Sequence, residues 1–283
     1  MSVFNLDEVQ SYHLDRAPLV QAIMQVQFPL VAHLQTYEGI APIQDALGDL
    51  FPFMQRQDVQ ALSISVGPAG VSHETPAPTL VWELSDEAGF RLAIAPGVAT
   101  LSVGSAYDGI EDFVRRFDRV LHVLGEVKGL RRCDRIGVRY VSVATPPPGD
   151  EEFWLRCFRP EFIGWVASGI LAEETQLVSA VTQVSVVAPA SGPLEEAAGD
   201  VQGLLRHGFV PAGSTIPGLA IEPLTHDAYV LDLDVFVATP QTFDPSRIRR
   251  QALALHSQLD RLFRWTLTPE GASYFGLREG DAA

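Results

Sequence analysis

The order of apolar and polar positions along this chain predicts alternating strands and helices, and it does so more clearly in the first half than in the second. Residues 19–28, between Ala17-Pro18 and Pro29, are largely apolar on both faces and predict a strand inside a sheet. Ile40, Ile43, Leu47 and Leu50 fall at helical spacing, so residues 38–51 predict an amphipathic helix. Four strands are expected next, at 59–66, 80–84, 90–94 and 98–103, with Asp86-Glu87-Ala88-Gly89 as the turn between the second and third. From Asp108 the period changes again. Ile110, Phe113, Val114, Phe117, Leu121 and Leu124 make one stripe, Asp108 and Glu111 resemble a capping box, and Gly129 supplies a stop. A strand at 135–143 closes this half, and Thr145-Pro146-Pro147-Pro148-Gly149-Asp150 reads as a stiff linker.

After the linker, residues 151–170 are rich in aromatic side chains and fit helix, strand or docking segment equally. Residues 175–187 alternate as a long strand, 194–207 predict a helix, and 208–223 form a Gly/Pro-rich stretch. A strand at 229–237 follows. Asp244-Pro245 then sets an N-cap and first-turn proline for a closing helix that carries Ile248, Ala252, Leu255, Leu259 and Leu262 on one face. Residues 264–267 are expected to be extended, and the tail from Glu279 to fray. The expected fold is α+β, in two similar halves at 1–145 and 146–283, each a mainly antiparallel sheet packed against amphipathic helices, as a structural duplication would produce. Short strands joined by hairpin turns argue against a parallel βαβ sheet.

Composition narrows the function more than it names it. A chain of 283 residues with 47% hydrophobic side chains has ample material for a core, and no apolar run approaches the length of a membrane helix. The acidic N-terminal stretch lacks the basic-then-apolar order of a signal peptide, and two cysteines, Cys133 and Cys157, make no disulfide framework, so a cytoplasmic location is expected. A formal charge of −15 works against bulk binding to nucleic acid or anionic membranes. Lys128 is the single lysine, and its Gly125-Glu126-Val127-Lys128-Gly129 setting suits neither a Schiff base nor a phosphate loop. No G-x-G-x-x-G, P-loop, G-x-S-x-G or local H-x-x-x-H spacing occurs. No cofactor is expected.

Two constellations remain. Asp232 and Asp234 lie at i and i+2 of a strand and share a face, with His226 just upstream; this spacing suits a divalent metal or acid/base chemistry. The competing reading has Leu231, Leu233 and Val235 in the core while the two carboxylates face solvent or pair with arginine. Arg135 and Arg139 share a strand face with Gly137 between them, an arrangement that suits a carboxylate or phosphate, or else an ion pair with Asp232 and Asp234 if the strands adjoin. Arg247 and Arg250, with Arg249, sit in the first turns of the closing helix against its dipole, which hints at an acidic partner nearby. Phe153, Trp154, Phe158, Phe162 and Trp165 fit core or interface packing better than base stacking.

Pro18-Leu19-Val20 leading to Gln25-Val26-Gln27-Phe28-Pro29, then Arg135-Ile136-Gly137-Val138-Arg139-Tyr140, then Leu231–Asp234 and a helix ending in Phe263 and Leu267-Thr268-Pro269-Glu270 resemble, in this order, a sporadically distributed, uncharacterised family of bacterial proteins of about this length. The central motif here continues Val141-Ser142 where the family has Ile-Asn, so no role for that Asn transfers. The resemblance brings no activity or site. It implies an accessory gene, such as one in a mobile-element, defence or toxin–antitoxin-like locus. With catalytic signatures absent, the expected function is a non-catalytic protein-interaction or regulatory subunit. The expected partner is another protein, a second copy included, with no nucleic acid and no membrane. The alternative is a small-ligand-binding or metal-dependent enzyme using the Asp/Arg-lined sheet face.

Overall fold

The computed structural model describes residues 3–6, 12–59, 63–67, 70–74, 79–150, 152–197, 199–215 and 223–279. The principal strands are β1 (Leu19–Gln27), β2 (Phe53–Val59), β3 (Thr79–Ser85), β4 (Arg91–Ala95), β5 (Val98–Val103), β6 (Arg135–Ala144), β7 (Ala180–Pro189), β8 (Asp200–Val210) and β9 (Ala228–Val237). The helices are α1 (Tyr37–Leu47), α2 (Ile110–Gly125), α3 (Phe153–Cys157), α4 (Pro160–Ile163), α5 (Pro245–Thr266) and α6 (Pro269–Tyr274). The fold is α+β with extensive antiparallel sheet. Among the described residues, no helix is long and apolar enough to cross a membrane. Residues 60–62 of the strand expected at 59–66, 216–222 of the Gly/Pro-rich stretch and 280–283 of the tail lie outside the described residues.

The chain divides into two compact units, each assembled from separated stretches: Met1–Ala22, Gly137–Ala238 and Arg250–Ala283 in one, Ile23–Ile136 and Thr239–Arg249 in the other. In the second of these, the strand order runs from β1 through β5, β4 and β3 to β2, with antiparallel ladders from β5 to β2. Its core holds Phe51, Trp82, Phe113 and Phe117, all essentially inaccessible, and the Trp82 indole N–H donates to the Leu34 carbonyl at 2.8 Å. Strand β2 was not expected, because its polar residues Gln55, Arg56 and Asp58 leave no apolar alternation to read. The turn at Asp86 forms as expected: the Asp86 carboxylate accepts from Phe90 N–H at 2.8 Å. Arg116 holds this turn to α2, with its guanidinium 3.9 Å from the Phe90 ring centroid and 2.9 Å from Asp86.

Helix α2 buries Phe113, Val114, Phe117, Val120, Leu121 and Leu124, as its stripe predicts, and ends at Gly125 rather than at Gly129. The capping box does not form. Gly109, at φ 126°, is the N-cap, so Asp108 precedes the cap and the cap residue has no side chain to bond the first-turn N–H groups.

In the other unit the order is β7, β8, β9, β6 and the first residues of β1. Strand β7 pairs with β8 from Ala180↔Phe209 to Pro189↔Asp200, and β8 with β9 from Val201↔Val237 to Val210↔Ala228, both antiparallel and without interruption. The helix expected at 194–207 is therefore overturned: Gly192–Ala197 is a 3-10 turn and the rest belongs to β8. Burial explains it, since Val201, Gly203 and Leu205 are buried while Gln202, Leu204 and Arg206 are half-buried, a period of two. Gly208 is also needed as glycine, because a Cβ there would lie 2.0 Å from the Ala180 carbonyl oxygen. The strand expected from 175 begins only at Ala180. Helix α5 has its foreseen cap, with Asp244 Oδ1 accepting from Arg247 N–H at 3.1 Å, and it buries Ile248, Ala252, Leu255, Leu259 and Leu262. It runs on to Thr266, so residues 264–267 are mostly its last turn and only Leu267 makes an extended bridge, to Phe158.

Candidate functional site

Strands β6, β8 and β9 bring three charged side chains into one row. Arg139 donates through Nε and Nη2 to the two oxygens of Asp232, at 2.6 and 2.8 Å, the bidentate geometry that suits guanidinium and carboxylate. Arg206 is in register with Asp232 and places Nη1 3.8 Å from Oδ2, while its buried Nε has no hydrogen-bond partner among the described residues. Asp232 is only 3% exposed. Two guanidinium groups thus balance one buried carboxylate, and a divalent cation there would have to displace Arg139 while lying beside Arg206. Asp234, in register with Leu204, is half-buried two residues further on.

The other expected residues go elsewhere. His226 is exposed, with Nδ1 2.9 Å from Thr225 Oγ1. Arg135 reaches Gln25 Oε1 at 3.1 Å, so it and Arg139 share a strand but serve different partners. Arg247 and Arg250 lie in the first turns of α5, and the neighbouring Arg249 stands 4.0 Å from Asp118. Among the described residues no group of three His, Cys, Asp or Glu side chains is arranged to hold a metal ion.

Several buried titratable groups tie elements together. Tyr229 donates its hydroxyl to the Phe162 carbonyl at 3.1 Å, so His207 Nδ1, 2.8 Å from the same oxygen, must be the donor to it. The His207 ring stacks on Phe162 at a centroid distance of 4.0 Å. Burial lowers the His207 pKa to about 4 and raises that of Tyr229. Between pH 6.5 and 4 the unfolded chain therefore binds a proton that the folded chain refuses. The stabilisation is complete above 6.5 and is lost as pH falls towards 4. After allowance for the part of the ring open to solvent, it amounts to about 1–2 kcal/mol. A series of urea melts across this range should show the loss, and His207→Phe should flatten it.

Tyr140, His256 and Asp260 form a second relay that the sequence did not suggest. The Tyr140 hydroxyl is 2.8 Å from His256 Nδ1, and His256 Nε2 is 3.1 Å from Asp260. The i, i+4 spacing of His256 and Asp260 on α5 was readable, but the strand residue that completes the relay was not. Tyr140 is buried, and the relay joins α5 to β6. Burial also pushes the thiols of Cys133 and Cys157 up, to about 12 and about 11, so neither is a ready nucleophile at neutral pH.

An open cleft of about 1260 Å³ lies elsewhere in the unit that holds β7, β8 and β9. Pro146, Pro147 and Pro148 line it together with Trp154, Trp165 and Leu171, and His226 and Asp227 lie at its wall. The aromatic-rich segment splits between two environments. Phe153, Phe158 and Phe162 turn into the core, while Trp165 is 56% exposed and Leu155 is also exposed. Helices α3 and α4 create this division, because each presents one face inward and the 3-10 turn Gly164–Ala167 that follows buries nothing. Trp154 is half-buried against Phe209, edge to face at 5.2 Å, and its buried indole N–H has no acceptor among the described residues. The triple proline, expected to be a linker, is thus one wall of the cleft. Comparison of the chain with protein-family models and with curated proteins returned no match.

Proposed function

We propose that this chain is a non-catalytic protein-interaction subunit that receives an extended, apolar segment of a partner protein in the Trp/Pro-lined cleft. The observation that carries this reading is the placement of exposed apolar side chains. Among the described residues, three large hydrophobic side chains that line the cleft are exposed, Leu155 at 45%, Trp165 at 56% and Leu171 at 37%. Contiguous exposed apolar surface rimmed by polar groups marks an interaction site. Proline and tryptophan give a stiff, amphipathic wall at little entropic cost, the usual material of peptide grooves. The cleft exceeds the span of most small-molecule pockets, which favours a peptide over a metabolite. The chain's −15 charge favours a neutral or basic segment. The resemblance to a sporadic bacterial family supports reading this role as part of an accessory system.

The test compares immobilised wild-type chain with Trp165→Asp, using lysate of the native host and mass spectrometry. A protein retained by the wild type should fall at least about tenfold with Trp165→Asp, as expected for a central aromatic contact, while the melting temperature stays unchanged. Equal capture by both forms, or no specific capture by either, would overturn the reading.

A further inference from the structure

We infer that β7 is a self-association edge, along which two copies of the chain pair antiparallel about a twofold axis through Val184. This contact is separate from the cleft.

Strand β7 ends the strand order of its unit, so among the described residues one side of its backbone has no ladder. Proteins commonly protect such an edge with charge, a bulge, an internal proline or short length. Here none of these is present. The strand is ten residues long, carries no charged side chain in a chain of net charge −15, and meets proline only at its last position. Its register with β8 is continuous over all ten pairs, so no bulge twists it away.

The exposed valines then select the partner. Val181, Val184 and Val187 are 63%, 39% and 66% exposed and spaced symmetrically about the central one. An antiparallel copy centred on Val184 sets Val181 opposite Val187 of the second copy, Val187 opposite its Val181, and Val184 opposite itself. Side chains directly opposite one another share a sheet face, so each of these three valines meets a valine, Val184 on one face and Val181 and Val187 on the other, while Val186 meets Thr182. The same register extends a row already present. Val184 pairs with Leu205, which pairs with Leu233; Leu205 and Leu233 are buried, and the row is exposed only at its β7 end. Pairing of copies would cover that end and continue the row. This is an isologous contact, closed by its own symmetry, so it yields a dimer and not a filament. The like net charge of the copies opposes it at long range, so salt should tighten the association.

Sedimentation of the purified full chain across micromolar concentrations, at low and high salt, is the test. The expected result is a monomer–dimer equilibrium that tightens with salt. Val184→Lys should weaken it at least about tenfold, since a buried charge is placed on the axis, while Val184→Thr should leave it nearly intact. Hydrogen exchange on the wild type gives a readout without substitution: β7 amides should be more protected in concentrated than in dilute protein. A wild type that stays monomeric throughout overturns the inference, as does a dimer unaffected by Val184→Lys. Trp165→Asp should leave dimerisation unchanged; a dimer lost in that variant and retained in Val184→Lys would move the contact to the cleft and equally overturn it.

Discussion

Replacing Arg139 with methionine is expected to destabilise the folded chain by about 3 kcal/mol at neutral pH, read from urea or thermal unfolding. The size follows from what remains. Asp232, with a side chain only 4% exposed, loses both of the short hydrogen bonds to its carboxylate. Arg206 is still near, but 3.8 Å is too long for a hydrogen bond and its own side chain is about a third exposed. Breaking a buried pair from one side leaves an uncompensated charge, which typically costs 3–5 kcal/mol; the residual attraction of Arg206 places this case at the lower end. Combining Arg139→Met with Asp232→Leu should recover most of the loss, because apolar groups of similar volume often substitute for a buried ion pair without penalty. A double variant no more stable than Arg139→Met alone would show that the loss lies in packing around the Arg139 side chain and not in the orphaned carboxylate.

That pair was within reach of the sequence in a way the cleft was not. Asp232 and Asp234 at i, i+2 and Arg135 and Arg139 at i, i+4 of two strands specify faces, and opposite charges on facing strands suggest each other once adjacency is assumed. Adjacency itself is not local information, which is why Arg135 could not be separated from Arg139: one meets Gln25 and the other Asp232. The strong helices, α2 and α5, were legible because an apolar stripe repeats over several turns in each. Strand β8 was not. Leu204 and Leu205 are adjacent, and a leucine pair beside Val201 looks helical until the register shows Leu205 inward and Leu204 outward. The capping box failed for a similar reason, since the positive φ of Gly109 moved the helix start past Asp108 and nothing in the spacing of Asp108 and Glu111 reports a backbone angle. Cleft walls are the least legible feature of all. Pro146–Pro148 and Trp165 are separated along the chain, and only the turn of α3 and α4 brings them to one concavity.

The second large effect separates the two roles of the aromatic segment. Phe158→Ala is expected to cost about 4 kcal/mol, within the range for emptying a buried phenylalanine site. Phe158 is fully buried, stacks on Tyr229 at 5.6 Å, and has Phe162 and Phe275 at 6.4 and 6.1 Å. Its neighbours cannot easily close the space. Tyr229 is held by its hydroxyl to the Phe162 carbonyl and to His207, and the backbone at Phe158 is bridged to Leu267. Trp165→Ala, seven residues along, should change stability by no more than about 0.5 kcal/mol, because the side chain is already more than half in solvent. Partner capture should show the reverse order at a temperature where both variants remain folded: retained by Phe158→Ala and lost by Trp165→Ala. If Trp165→Ala destabilised the chain as much as Phe158→Ala does, the segment would be a single structural cluster, and its exposed half would have no separate claim to function.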